Sequence, residues 1–198
     1  MTGVKKKKIA VFIDGSNFYF KVRTLTRQKT NFTLFDYQGL IKELVGTDAR
    51  VVHAGYYVGV VRAKGGSTKA AELRKHQQQL FDQLRLQKLT VVTGFLMQHD
   101  GKYFEKGVDV RIAVDIVSGA YEKQYDEAIL ISSDTDLLPA VTKAQSRGRP
   151  VHYVGFSHQP SLAMVSRCST SRLLTEKDIL KFSRSHRKTI KIKRFDED

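Results

Sequence analysis

Apolar residues along the chain fall into two alternating textures, short β-branched runs and longer stretches with three-and-four spacing. The short runs predict strands over 8–13, 50–58, 90–95, 128–132 and 151–155. The periodic stretches predict helices over 16–25, 37–45, 68–87, 108–121 and 136–146, with a short one near 161–165. Strands that alternate with helices need crossover connections, so the fold class expected is α/β: a three-layer α/β/α arrangement around a mostly parallel sheet. The helix over 68–87 carries Leu73, Gln77, Leu80, Phe81 and Leu84 on one stripe. Its basic face of Lys69, Arg74, Lys75, Arg85 and Lys88 is either solvated or laid along a phosphate backbone. Asp100-Gly101, between two apolar segments, predicts a tight hairpin.

Composition narrows the class. The 198 residues suit one domain, with 41% hydrophobic and 27% charged positions and only 3 prolines, which excludes a disordered or fibrous chain. No apolar run approaches the roughly 18 residues of a membrane helix. The N-terminal basic residues lead into too short an apolar stretch for a signal sequence, so the N-terminus reads as mature. The single Cys168 rules out an internal disulfide, and a reducing cytoplasm is the expected setting. Residues 1–7 read as a basic arm, 8–182 as the domain and 183–198 as a basic tail. The formal net charge is +14, and about half of that excess sits in the two arms. Such arms attract polyanions by counterion release, making nucleic acid the expected partner class; basic tails that only keep the protein soluble are the plainer alternative.

Candidate chemistry lies in three acidic segments at predicted strand ends or helix starts, where open α/β sheets hold ligands. In the first, an apolar run ends on Asp14, followed by Gly15, Ser16 and Asn17. In the second, Lys106-Gly107-Val108-Asp109 opens a helix whose core stripe is Ile112, Ala113, Ile116, Val117 and Ala120. Asp109 extends that stripe, and a carboxylate on an apolar face requires a metal or a strong partner. Asp115, six residues on, is accounted for by a local pair with Arg111. In the third, a buried run ends in Ser132-Ser133-Asp134-Thr135-Asp136, whose two carboxylates repel unless a cation lies between them. Asp14, Asp109, Asp134 and Asp136 thus form an oxygen-only catalytic set suited to Mg²⁺ or Mn²⁺. That chemistry is metal-assisted phosphodiester hydrolysis. Asp14, Asp109 and Asp134 are the expected metal ligands, Asp136 completes the site or positions water, and Asn17 orients Asp14 or the phosphate.

The strings Phe12-Ile13-Asp14-Gly15-Ser16-Asn17, Lys106-Gly107-Val108-Asp109 with Asp115, and Ile131-Ser132-Ser133-Asp134-Thr135-Asp136-Leu137 resemble the NYN domain, in particular its LabA-like (DUF88) branch within the PIN-like nuclease superfamily. The resemblance covers roughly residues 8–178 and implies a PIN-like fold, a Mg²⁺- or Mn²⁺-dependent acidic centre, and RNA rather than DNA as substrate. It matches Asp14, Asp109, Asp134 and Asp136 to the family's acidic positions, Asn17 to its polar companion and Asp115 to its later helical aspartate. Ser133 stands where that branch commonly has glycine, and the Ser166–Arg172 region, with Arg167 and Arg172, is unusually basic. Lys64, Lys106, Arg167, Arg172, Arg187 and Lys188 are the expected nucleic-acid contacts.

Other chemistries lack their residues. No phosphate-cradling glycine loop follows a strand, the six histidines lack metal-ligand spacing, and Cys168 has no histidine near it in sequence. Phe18, Tyr19 and Phe20 are candidates to stack an unpaired base, with at least one of them expected in the core. Two other readings compete: a non-catalytic RNA-binding or regulatory module that keeps a metal site, and a small-molecule phosphohydrolase. The second lacks an aspartate at position 16 for an aspartyl-phosphate mechanism.

Overall fold

The apolar run at the start of the chain becomes β1 (Lys7–Asp14), buried on both faces because it lies at the centre of the sheet. The computed structural model describes residues 6–61, 68–99 and 102–183. After β1 come α1 (Gly15–Leu25), α2 (Tyr37–Val45), β2 (Ala49–Val61), α3 (Thr68–Leu86), β3 (Thr90–His99) and β4 (Lys102–Lys106). The second half contains α4 (Val108–Tyr121), β5 (Glu127–Ile131), a 3-10 turn at Thr135–Leu137, α5 (Leu138–Ser146), β6 (Val151–Phe156), α6 (Leu162–Arg167), β7 (Thr170–Leu174) and α7 (Glu176–Phe182). Seven strands form one sheet in the order β4-β3-β2-β1-β5-β6-β7. Every neighbouring pair is parallel except β3 with β4, whose antiparallel register pairs His99 with Lys102; the turn expected at Asp100-Gly101 lies outside the described residues.

Helices cover both faces, giving the α/β/α layering. On one face Phe18, Val22, Leu40, Phe81, Leu84 and Ile179 of α1, α2, α3 and α7 close over Ile9, Val11 and Ile13. On the other, Ile112, Ile116, Val141, Ala144 and Met164 of α4, α5 and α6 close over Ala10, Phe12 and Leu130. The alternation of β1 side chains between the two clusters is the period-two geometry of a strand buried on both sides.

The chain after β6 holds two elements that periodicity does not predict. β7 exposes four of its five residues, so it has no apolar run to detect. Its position is secured from outside by Glu43 of α2, which binds Arg172 of β7 at 2.7 Å and also Lys181 of α7. These hydrogen bonds, that of Lys181 foremost, hold the Glu43 carboxyl below its ordinary pKa. A depressed carboxyl stabilises the fold above its unfolded pKa, about 4.3, and loses that contribution as pH falls through its folded value. Glu43→Gln is therefore expected to flatten the acid side of a thermal-midpoint profile below about pH 5, while wild type falls more steeply there. Parallel profiles would mean that the cluster contributes nothing measurable.

Candidate active site

Along the chain the sheet first grows from β1 outward through β2 to β3, then resumes on the other side of β1 with β5. The crevice between the carboxyl ends of β1 and β5 is therefore the topological switch point, where open α/β sheets hold ligands. Asp14 ends β1 there, and Ser132-Ser133-Asp134 follows the end of β5. The two segments are tied together by hydrogen bonds. Asp14 is buried, with 4% of its surface exposed. Its Oδ1 accepts the Asn17 backbone N–H at 3.0 Å, capping α1, and its Oδ2 accepts the Ser132 hydroxyl at 2.8 Å. The Ser132 Oγ accepts the Asp134 N–H at 3.1 Å, and the Asn17 Oδ1 accepts the Ser133 N–H at 3.2 Å. Asp134 Oδ1 in turn accepts the Asp136 N–H at 2.9 Å and caps the 3-10 turn. Both aspartates are thus helix caps.

Capping uses only part of a carboxylate's roughly four acceptor directions. Among the described residues Asp134 Oδ2, the Asp136 carboxylate and the Asn17 side-chain NH₂ have no hydrogen-bond partner. Behind them Ser133 Oγ lies 2.9 Å from the buried Tyr153 hydroxyl, which also accepts the Ser161 N–H at 3.1 Å. The rim at β1, β5 and β6 is fixed by polar contacts rather than by loop packing alone. Ser132, fully buried, is the residue that sequence reading passed over. Its signal was a hydroxyl closing an otherwise apolar strand run, next to the already noted Ser133.

Asp109 differs from its expectation. It lies in the first turn of α4, exposed, while Val108 takes the buried place one turn before Ile112. The cost of burying a carboxylate therefore does not bear on Asp109. Gly107 enters that helix with φ 81°, a left-handed conformation suited to glycine, and the exposed Lys106 precedes it. Asp115 lies about 9 Å farther along the helix axis. It receives the Arg111 guanidinium at 3.1 Å, as expected, and also the Tyr57 hydroxyl at 3.0 Å. Burial, then Asp115, holds the Tyr57 hydroxyl firmly protonated. Together with His53 and Ser118, Asp115 lines a separate cavity of about 340 Å³ between the sheet and α4.

Among the described residues no three His, Cys, Asp or Glu side chains stand close enough to form a ready metal cage. What the site offers is Asp14 and Asp134 joined through Ser132, all oxygen donors. That set fits a small hard cation, which takes one or two carboxylates and keeps several waters, better than it fits zinc.

Of the expected nucleic-acid contacts, Arg167 is exposed at the end of α6 on the α4-α5 face. Arg172 is engaged with Glu43 on the opposite face. Lys64, Arg187 and Lys188 lie outside the described residues. Phe18 is fully buried, whereas Phe20 is 65% exposed. Burial raises the Cys168 thiol to about 11, so the thiol is inert at neutral pH. Among the described residues no helix is long and apolar enough to cross a membrane.

The parallel sheet with helices on both faces and acidic side chains at its switch point is consistent with a PIN-like fold. The NYN domain family model matches residues 8–175, and the chain belongs to that family, whose domains are generally nuclease-like hydrolases. It is similar to the crystal structure of a protein of unknown function from Vibrio parahaemolyticus, with 25% identity and a TM-score of 0.68 over 90% of this chain and 99% of that one. No curated protein matches the chain.

Proposed function

We propose that the protein is a metal-dependent nuclease that hydrolyses phosphodiester bonds, in RNA above DNA, in the manner of the LabA-like branch. The observation that carries this reading is the Asp14–Ser132–Asp134 linkage across the switch point. Asp14 and Asp134 would hold Mg²⁺ or Mn²⁺; Asp109, the third expected ligand, lies in the first turn of α4. A divalent ion supplies positive charge to offset the phosphate and to acidify water. The Asn17 NH₂ donates to a non-bridging phosphate oxygen, and Asp136 accepts a proton from the attacking water. Water adds to phosphorus, one P–O ester bond breaks, and the departing oxygen takes a proton from solvent. No side chain forms a covalent intermediate.

The test is cleavage of labelled single-stranded RNA and DNA with Mn²⁺, Mg²⁺ or chelator. Cleavage of RNA that appears only with metal supports the proposal, and its absence under every condition overturns it. The capping roles of Asp14 and Asp134 favour one alternative, a non-cleaving RNA-binding module. That alternative predicts binding without cleavage.

Ser132 gives a graded check. Ser132→Ala removes the hydroxyl that orients Asp14 and leaves the apolar packing in place, so cleavage should fall about 10–100-fold, the usual effect of losing a partner of a metal ligand. Unchanged rates at limiting Mn²⁺ would remove Ser132 from the site.

A further inference from the structure

Several described cations on this protein are answered by an acid, among them Arg111 by Asp115, Arg149 by Asp126, and Arg172 and Lys181 by Glu43. Lys143, Arg147 and Arg167 form no ion pair among the described residues, and they occupy one face. Arg147 stacks on the Tyr121 ring at 4.1 Å, and Lys143 lies over the same ring at 5.6 Å. Tyr121 ends α4, so this cluster spans the α4-α5 seam. The Tyr121 hydroxyl titrates below its ordinary range because of Lys143. Stacking fixes a guanidinium in place without using its N–H donors, which leaves them for a planar or tetrahedral anion.

Beside the cluster runs an open groove of about 440 Å³ lined by Leu138, Pro139, Thr142, Lys143, Ser146 and Arg167. The α5 residues recur at helical spacing, so the groove follows that helix for about 12 Å. It starts at Leu138 and Pro139, two residues after Asp136, and ends between cations. Its floor near the acidic turn is apolar, which suits the faces of unstacked bases; its far end suits phosphates.

We propose that this α5 groove is a binding track for a single-stranded polynucleotide, carrying the strand from the Lys143–Arg147–Arg167 cluster to the Asp134–Asp136 turn. The track rests on the nuclease reading for its endpoint, but its binding is measurable without cleavage.

The experiment uses the full chain in chelator and measures affinity for a labelled single strand of about 16 nucleotides, the upper end of single-strand site sizes, across a salt series. Each lost phosphate contact lowers the slope of log affinity against log salt by about 0.7 for single strands. Lys143→Gln/Arg147→Gln should therefore lower the slope by about 1.4 and weaken binding at low salt. Arg167→Gln alone should lower it by about 0.7. Glu122→Gln, on the same helix end but outside the groove, should leave the slope unchanged. A thermal melt confirms that each variant is folded.

Unchanged slopes in folded Lys143→Gln/Arg147→Gln overturn the track even if wild type cleaves RNA. Lowered slopes in a protein that cleaves nothing uphold the track and defeat the nuclease reading. Equal losses against a blunt duplex of the same length would overturn the commitment to single strands.

Discussion

Asp14→Asn is expected to reduce metal-dependent RNA cleavage by more than about a hundredfold, beyond the loss caused by removing only a partner of a metal ligand. The substitution is nearly isosteric. The new side-chain oxygen still accepts the Asn17 N–H, and asparagine caps helices about as well as aspartate. The new NH₂ still reaches Ser132 Oγ, which then accepts from it as well as from the Asp134 N–H. What disappears is the negative charge at the buried end of β1, and with it the attraction for a divalent ion. Binding of a single strand in chelator should be unchanged, because the site contributes no positive charge of its own. The melting temperature should stay within about 4 °C, which corresponds to roughly 1 kcal/mol for a chain of this size. A variant that still cleaves at near wild-type rate would show that Asp14 is a structural cap alone.

Phe18→Ala is expected to destabilise the fold by about 3–5 kcal/mol. The ring is fully buried and meets the rings of Phe32, Phe35, Tyr37 and Phe156 at centroid distances of 6.3, 5.6, 5.9 and 6.0 Å. The cavity cannot collapse easily, because these neighbours come from separate segments, the connection before α2, α2 itself and β6. Geometric contacts between rings add about 0.5–1.5 kcal/mol to simple burial. Urea unfolding reads the loss directly as a lowered midpoint at unchanged slope. Phe20→Ala, at an exposed position two residues on, should cost under about 0.5 kcal/mol. A Phe18 variant no weaker than the Phe20 variant would contradict the packing of α1. Because Asp14 caps α1, the same ring also holds the site's first turn in place.

The centre of the sheet was legible because burial on both faces leaves an almost purely apolar run, as in 9–13 and 128–131. The ranges predicted for α2 and α4 match those observed, since apolar stripes and glycine or aspartate boundaries agree there. β7 was not legible: a strand at the sheet edge with four exposed residues carries no hydrophobic period, and its anchor, Glu43, is 129 residues away from Arg172. In the site, the gathering of Asp14 and Asp134 follows from Asp14 ending β1 and Asp134 lying just past the end of the adjacent parallel β5. The exposure of Asp109 was missed because positions 108 and 109 both precede Ile112 at helical spacing, and only packing decides that Val108 faces inward. Tyr57 with Asp115, and Tyr121 with Arg147, are pairings between separate elements that no local spacing reveals.

We propose that Asp14 and Asp134 jointly bind one kind of divalent ion at the switch point. Calorimetric titration of Mn²⁺ into the full chain tests it most directly, with Asp14→Asn and Asp134→Asn beside wild type. A saturable site is expected in wild type, lost or greatly weakened in each variant while both remain folded. Wild type that takes up no Mn²⁺, or variants that bind it as wild type does, would rule out a shared ion site at Asp14 and Asp134.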